Sequence, residues 1–333
     1  MSRTENREPG TENRRVRYRL EYWLIAMVTL AVRVMPWRLA GAAGSGLGCA
    51  FFAFDGARRR ITLANLEAAF PVRAARDRRA LARRVFAHFG RLLFELLKFS
   101  TLTPSQMLAR VEFDGDEHAR QAYAHGRGVF FFTGHFGFWE VCGIVHALRL
   151  APIGLLARPL DNPLLNQRLE RMRECTGNSV IYRRGAARRV LRMLEANEGV
   201  AILIDQHTHE PDAVRVEFFN RPAAATSSMA AMALRTGARA IPVFAIPTGP
   251  GRYRMIYEHA VEMPPAGSSD PALEFTQRCT DVLEMYVRRY PELWLWMHRR
   301  WRNGDEPLAP GRTIIPAVPS NADEENGRPV SED

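Results

Sequence analysis

The chain has 333 residues, 47% of them hydrophobic, and a formal net charge of +10. That length allows one large α/β domain or two ordinary ones, and the apolar fraction is enough for a real core. The positive balance points to an anionic partner, whether nucleic acid, an anionic membrane face, an acidic protein or a phosphorylated substrate. Almost all of it is Arg, with Lys98 the only lysine. Arg suits bidentate phosphate binding, although a GC-rich genome that writes Arg for Lys gives the same composition. Cys49, Cys142, Cys175 and Cys279 lie far apart without C-x-x-C spacing. This argues against a zinc ribbon or a disulfide framework and for a reducing compartment.

In chain order, residues 1–12 are polar and are expected to be disordered. Residues 13–60 form an N-terminal apolar helical segment. Arg14, Arg15, Arg17 and Arg19 precede an apolar run from Tyr22 to Val32. Arg33, Pro36 and Arg38 interrupt it, a second run goes from Leu39 to Phe54, and Arg58, Arg59 and Arg60 follow. A spanning helix wants about 20 apolar residues, and neither run reaches that. Basic flanks on both sides place both ends at a cytoplasmic face, which predicts an interfacial or re-entrant membrane-associating hairpin, with Tyr22, Trp23 and Trp37 at headgroup level. Buried core helices and a signal peptide are the competing readings. Over 75–100, Leu81, Val85, Phe89, Leu92, Leu93 and Leu96 recur at helical steps opposite an Arg face, and Pro104 ends the helix.

After residue 112 the pattern changes to short apolar runs between helical stretches. Strands are expected at 129–132, 152–157, 179–181, 200–204, 240–245 and 253–257, and helices at 138–149, 162–176, 185–197, 226–236 and 271–290. Such alternation predicts an α/β fold with a largely parallel mixed sheet flanked by helices, in a catalytic domain over 61–302. The tail 303–333, rich in Pro, Asn, Asp and Glu, is expected to be disordered.

The stretch GHFGFWE, 134–140, follows the first of these strands. Open α/β sheets place ligands at such strand ends. Gly134 and Gly137 flank His135 and allow close approach of a substrate. A carboxylate at Glu140, in the first turn of the next helix, fixes one imidazole nitrogen and leaves the other free as a base toward a hydroxyl. This is the histidine–acid half of a triad, with the substrate's own hydroxyl as nucleophile. On spacing alone, a core histidine beside a helix-turn acid is the competing reading. DQHTHE, 205–210, offers another chemistry: Asp205, His207 and His209 alternate after a strand at a metal-ligand spacing, as in a metal-dependent hydrolase. PELWLWMHRRWR, 291–302, interleaves Trp294, Trp296 and Trp301 with His298, Arg299, Arg300 and Arg302. That pattern suits a membrane surface, nucleic-acid stacking or a set of core tryptophans; together with the 20–54 stretch the membrane is preferred, and no recognisable nucleic-acid module is present. RRGAARRVLRML, 183–194, is a basic helix, either a solvated face or a docking patch for an acidic carrier protein or anionic headgroups.

Four stretches taken together resemble the bacterial lipid A biosynthesis acyltransferases of the lauroyl/myristoyl type, within the lysophospholipid acyltransferase superfamily. They are RRRITLANLEAAFP (58–71), GRGVFFFTGHFGFWE (126–140), VAILIDQ (200–206) with VEFFNRPAAAT (216–226) and LRTGARAIPVF (234–244), and PELWLWMHRRWR (291–302). The resemblance runs over about residues 20–302. It implies acyl transfer, without an acyl-enzyme, from an acyl carrier protein or coenzyme A thioester to a hydroxyl of a lipid A precursor or other glycolipid, at the cytoplasmic face of a bacterial inner membrane. His135 is then the base and Glu140 its orienting acid. Arg158 contacts an acceptor phosphate or the oxyanion, with Asp161 as its partner or as a helix cap. Gly137 and Asp205 complete the substrate-binding set. The resemblance implies no cofactor, no metal and no nucleic-acid partner. Phe138 and Asn220 stand where the family block often has Asn and Gly, which bears on substrate contacts rather than on chemistry.

Overall fold

In the computed structural model, the residues described are 9–182, 185–208 and 213–301. Residues 1–8, part of the expected disordered start, and 302–333, which hold the expected tail, lie outside them. The apolar runs after residue 112 pair into one seven-stranded sheet. Its strands are β1 (Val111–Asp114), β2 (Val129–Thr133), β3 (Ile153–Ala157), β4 (Ser179–Tyr182), β5 (Gly199–Leu203), β8 (Arg239–Gly249) and β9 (Arg252–Tyr257), in the order β1-β9-β8-β2-β5-β3-β4. Every pairing is parallel except β8 with β9. All six expected strands are present. A two-stranded antiparallel ribbon, β6 (Ala213–Glu217) with β7 (Pro222–Thr226), stands apart. It escapes sequence detection because Pro-Ala-Ala-Ala-Thr carries almost no β-branched or aromatic signal. The turn between them holds Asn220 at φ 55°. Left-handed backbone favours Gly and tolerates Asn, which accounts for the departure at this position.

Strand β2 is buried at all five positions and occupies the middle of the sheet. Period-two alternation sends Phe130 and Phe132 into one core and Phe131 into the other. The Phe131 side is covered by α7 (Trp139–Arg149) and joined by α4 (Ala75–Phe99). The opposite side carries α9 (Ala186–Glu195), α10 (Ser228–Thr236) and part of α11 (Pro271–Arg289). Helix α8 (Pro163–Glu174) lies between β3 and β4 in the chain, capped by Asn162, whose side chain accepts from the Leu164 and Leu165 amides. Asp161 is therefore not the cap.

The N-terminal segment forms α1 (Pro9–Val34) and α2 (Trp37–Phe54), broken at Pro36, then α3 (Gly56–Ala69). No described helix is long and apolar enough to cross a membrane. The Gly/Ala-rich run of α2 is a packing face. Gly44 and Gly48, one turn apart, meet Gly90 and Phe86 of α4 so closely that a Cβ at Gly48 would overlap the Phe86 carbonyl. Backbone-to-backbone contact leaves no side chain free to yield. Gly48→Ala is accordingly expected to destabilise the protein by about 1–3 kcal/mol, the usual cost of overpacking; an unchanged denaturation midpoint would rule this contact out. Lys98 closes the far end of α1, its Nζ donating to the Val32 and Arg33 carbonyls at 2.8 Å each, a cation on carbonyls that a helix terminus leaves orphaned. On the outer side of this pair, Leu20, Trp23, Met27, Leu30 and Val34 of α1 and Phe51 and Phe54 of α2 stay exposed.

Candidate active site

Strands β2 and β5 run parallel and in register, Thr133 opposite Leu203. Two residues beyond each strand end stand His135 and Asp205, 70 positions apart in sequence and side by side in space. Imidazole Nδ1 lies 2.8 Å from Asp205 Oδ1, and the His135 amide donates to Oδ2 at 2.7 Å. The Trp294 indole donates to the same Oδ2 at 2.9 Å. Asp205 is 1% exposed. Burial alone would raise its pKa, but the charge and hydrogen bonds of His135 hold it well below the usual carboxylate range. At His135, burial opposes the charged form, while the charge and hydrogen bond of Asp205 favour it more strongly, so the pKa is raised above 6.5. The two shifts agree in sense: each partner stabilises the other's charged form. The other nitrogen, Nε2, lies 3.4 Å from the Gln206 side-chain amide.

Glu140 does not orient His135. Its carboxylate is taken by Arg173 of α8, which donates from Nε at 2.9 Å and Nη2 at 2.5 Å, both side chains being mostly buried. The helix following the turn rotates Glu140 toward α8, while the strand next door supplies the imidazole's partner. Glu140 still contributes negative charge that favours the imidazolium, and Arg173 opposes it.

Gly137 has φ 55°, and a Cβ there would overlap the Ala245 carbonyl. Its amide donates to the Leu293 carbonyl at 2.9 Å. Backbone packing is sufficient to require the glycine. Phe138 is 1% exposed and packs edge-on against Phe99 and Tyr253, so it faces the core. Trp139 is the residue that touches the site: its ring lies 5.3 Å from that of His135. Arg158 and Asp161 are exposed beyond the end of β3, and neither forms an ion pair with a described residue.

The 291–301 segment belongs to the interior. Trp294 and Trp296 are fully buried and Arg300 is 1% exposed, so the expected membrane surface is instead the back wall of the site. Leu295 donates its amide to the His135 carbonyl at 3.0 Å, and Phe136 bridges Trp294. His298 packs edge-on against Trp294 with Nδ1 2.6 Å from the Leu295 carbonyl, and burial lowers its pKa. Asn65 of α3 fixes the segment from behind, its amide donating to the Trp296 and His298 carbonyls at 2.9 and 2.7 Å. This gives the Asn-Leu of the first family stretch a physical task.

The metal reading fails on its own residues. Asp205 spends both oxygens on His135 and Trp294, His209 lies outside the described residues, and among those described no three His, Cys, Asp or Glu side chains converge as a metal site.

An apolar cavity lies between α7 and the sheet, and Trp139, whose ring neighbours that of His135, is part of its lining. Thr133, Trp139, Glu140, Ala157 and Arg173 line its mouth, and Phe131, Ala201, Ile153, Val243 and Met255 its apolar interior. Sequence reasoning missed Arg173 because α8 carries two other arginines of similar aspect, Arg168 and Arg171. It missed Trp294 because a buried indole and a surface one read alike.

Comparison with known proteins identifies the chain as an acyltransferase. The family model of the bacterial lipid A biosynthesis acyltransferases matches residues 9–303, and the chain belongs to that family. Among curated relatives, it is 28% identical over 293 residues to the lipid A biosynthesis lauroyltransferase of Escherichia coli K12, covering 86% of this chain and 93% of that one. It is 25% identical over 290 residues to the lipid A biosynthesis palmitoleoyltransferase of the same organism, covering 86% and 92%. The phosphatidylinositol mannoside acyltransferase of Mycobacterium tuberculosis H37Rv is 24% identical over 284 residues, covering 84% and 88%.

Proposed function

We propose that the protein moves a fatty acyl chain from an acyl thioester, on acyl carrier protein or coenzyme A, to a hydroxyl of a lipid A precursor or related glycolipid. The observation that carries this is the His135–Asp205 pair, with Trp139 standing between His135 and an apolar cavity that it also lines. The cavity holds the acyl chain and presents the thioester carbonyl at its mouth. Neutral His135 takes the acceptor's hydroxyl proton on Nε2 as the oxygen attacks that carbonyl, and Asp205 stabilises the imidazolium that forms. The tetrahedral intermediate expels the thiolate, which recovers the proton from His135, so no acyl-enzyme is needed. Arg173, held in place by Glu140, sets a fixed positive charge beside the developing oxyanion. Arg158, exposed just beyond the end of β3, takes an acceptor phosphate in this reading, with Asp161 in the same loop.

The exposed apolar stripe of α1 and α2 is flanked by Arg14, Arg15, Arg17 and Arg19 and by Arg33 and Arg38. This favours lying on an anionic bilayer, at the cytoplasmic face of the inner membrane, rather than crossing it. The test is transfer by purified protein on anionic vesicles, with each acyl thioester in turn and a phosphorylated glycolipid acceptor, read by mass spectrometry. The expected product is acceptor plus one acyl group, with the protein floating with the vesicles. No product with either donor would overturn the reading.

A further inference from the structure

We propose that Gly143 and His146 set the length of the acyl chain that the enzyme accepts, Gly143 as the narrow part of the bore and His146 as its floor. This rests on the acyl-transfer reading above.

Glu140, Gly143 and His146 follow one another at three-residue steps along α7, and all three line the cavity. Residues so spaced share a helix face. At 1.5 Å of rise per residue, Gly143 lies about 4.5 Å and His146 about 9 Å deeper than Glu140. The opposite wall gives a similar depth: the cavity runs along β3 from Ala157 back to Ile153, four steps of about 3.3 Å each. Helix and strand thus measure the same bore from its mouth.

At the middle of that bore, Gly143 faces Leu155. A Cβ on Gly143 would stand 2.9 Å from Leu155 Cδ2, and its three nearest neighbouring atoms all belong to the Leu155 side chain. Any side chain at 143 therefore enters space shared by Leu155 and the cavity.

At the far end, His146 is 1% exposed. Its Nδ1 is 3.0 Å from the Tyr257 hydroxyl, its Nε2 3.4 Å from the Tyr123 hydroxyl, and its ring packs 4.3 Å from that of Phe131. Burial lowers its pKa to about 3, so it is neutral. Both nitrogens are engaged by tyrosines behind it, which leaves carbon to face the cavity. A satisfied buried polar network is stiffer than an aliphatic end wall. A flexible Leu or Met there would yield to an extra methylene, whereas a tethered imidazole does not. Misfit by one methylene in an apolar pocket is worth about 10- to 200-fold in specificity.

The experiment measures kcat/KM for a series of saturated acyl thioesters of increasing length, with wild type, Gly143→Ala, Gly143→Val and His146→Ala. The Gly143 variants are expected to move the optimum to shorter chains, Val further than Ala, with the ratio of longest to shortest donor falling about ten-fold or more for Val. His146→Ala is expected to move the optimum to longer chains. If His146→Ala or Gly143→Val does not fold, Gly143→Ala decides alone, because the atom it meets is the movable end of Leu155. A profile that keeps its shape, whether or not the overall rate falls, overturns the proposal. A wild type that transfers no chain of any length overturns the acyl-transfer reading instead.

Discussion

Asp205→Asn is expected to lower kcat by about 10²–10⁴-fold, the range typical of general base catalysis, and His135→Ala by at least as much. The Asn keeps the volume and one acceptor oxygen but removes the charge that stabilises the imidazolium. The pH dependence separates this from a folding defect. A base works when deprotonated, so kcat/KM rises with pH through the His135 pKa, which Asp205 holds above 6.5. With Asn at 205, burial continues to oppose the charged form and the compensating carboxylate is gone. The residual activity should therefore show its acid limb at lower pH than wild type. A limb that stays in place, or an Asp205→Asn enzyme near full activity, would mean that another group orients the imidazole.

Arg173→Met is expected to cost about 3–5 kcal/mol of stability, because it strands the Glu140 carboxylate at a site where both partners are largely withdrawn from water. Adding Glu140→Gln should recover most of that loss, since the penalty lies in the unpaired charge rather than in the missing contact. Chemical denaturation of the two single variants and the double variant gives the coupling directly. A single-variant loss below about 1 kcal/mol would place the pair in the solvated class. Both single variants should also lose turnover if the pair holds the charge that receives the oxyanion.

Much of this molecule is legible before folding. The six expected strands and the amphipathic helices around them have strong periodicity, and the turn around His135 sits at a strand end as open sheets require. Failures fall where partners are distant in the chain. Glu140 was chosen for His135 because it is five residues away, whereas the real partner, Asp205, arrives through the pairing of β2 with β5, which no local spacing encodes. Trp294, Trp296 and Arg300 looked like a membrane surface because aromatic and basic residues alternate there, yet the chain buries them. Phe138, a departure from the family block, turns into the core, and the neighbouring Trp139 meets the site. At α2 the glycines serve the contact with α4, while Phe51 and Phe54 of the same helix stay exposed.

The stitch from Asn65 to the Trp296 and His298 carbonyls spans more than 230 positions, and it has a consequence for the order of assembly. Synthesis runs from the N-terminus, and units tend to fold as they emerge. Helix α3, the sheet and both members of the base–acid pair leave the ribosome before Trp294, the donor that completes the Asp205 carboxylate. The machinery for removing a proton is therefore closed last, by a segment near the end of the described chain. A nascent chain that has its sheet but not this strap carries an Asp205 carboxylate that still lacks its indole donor.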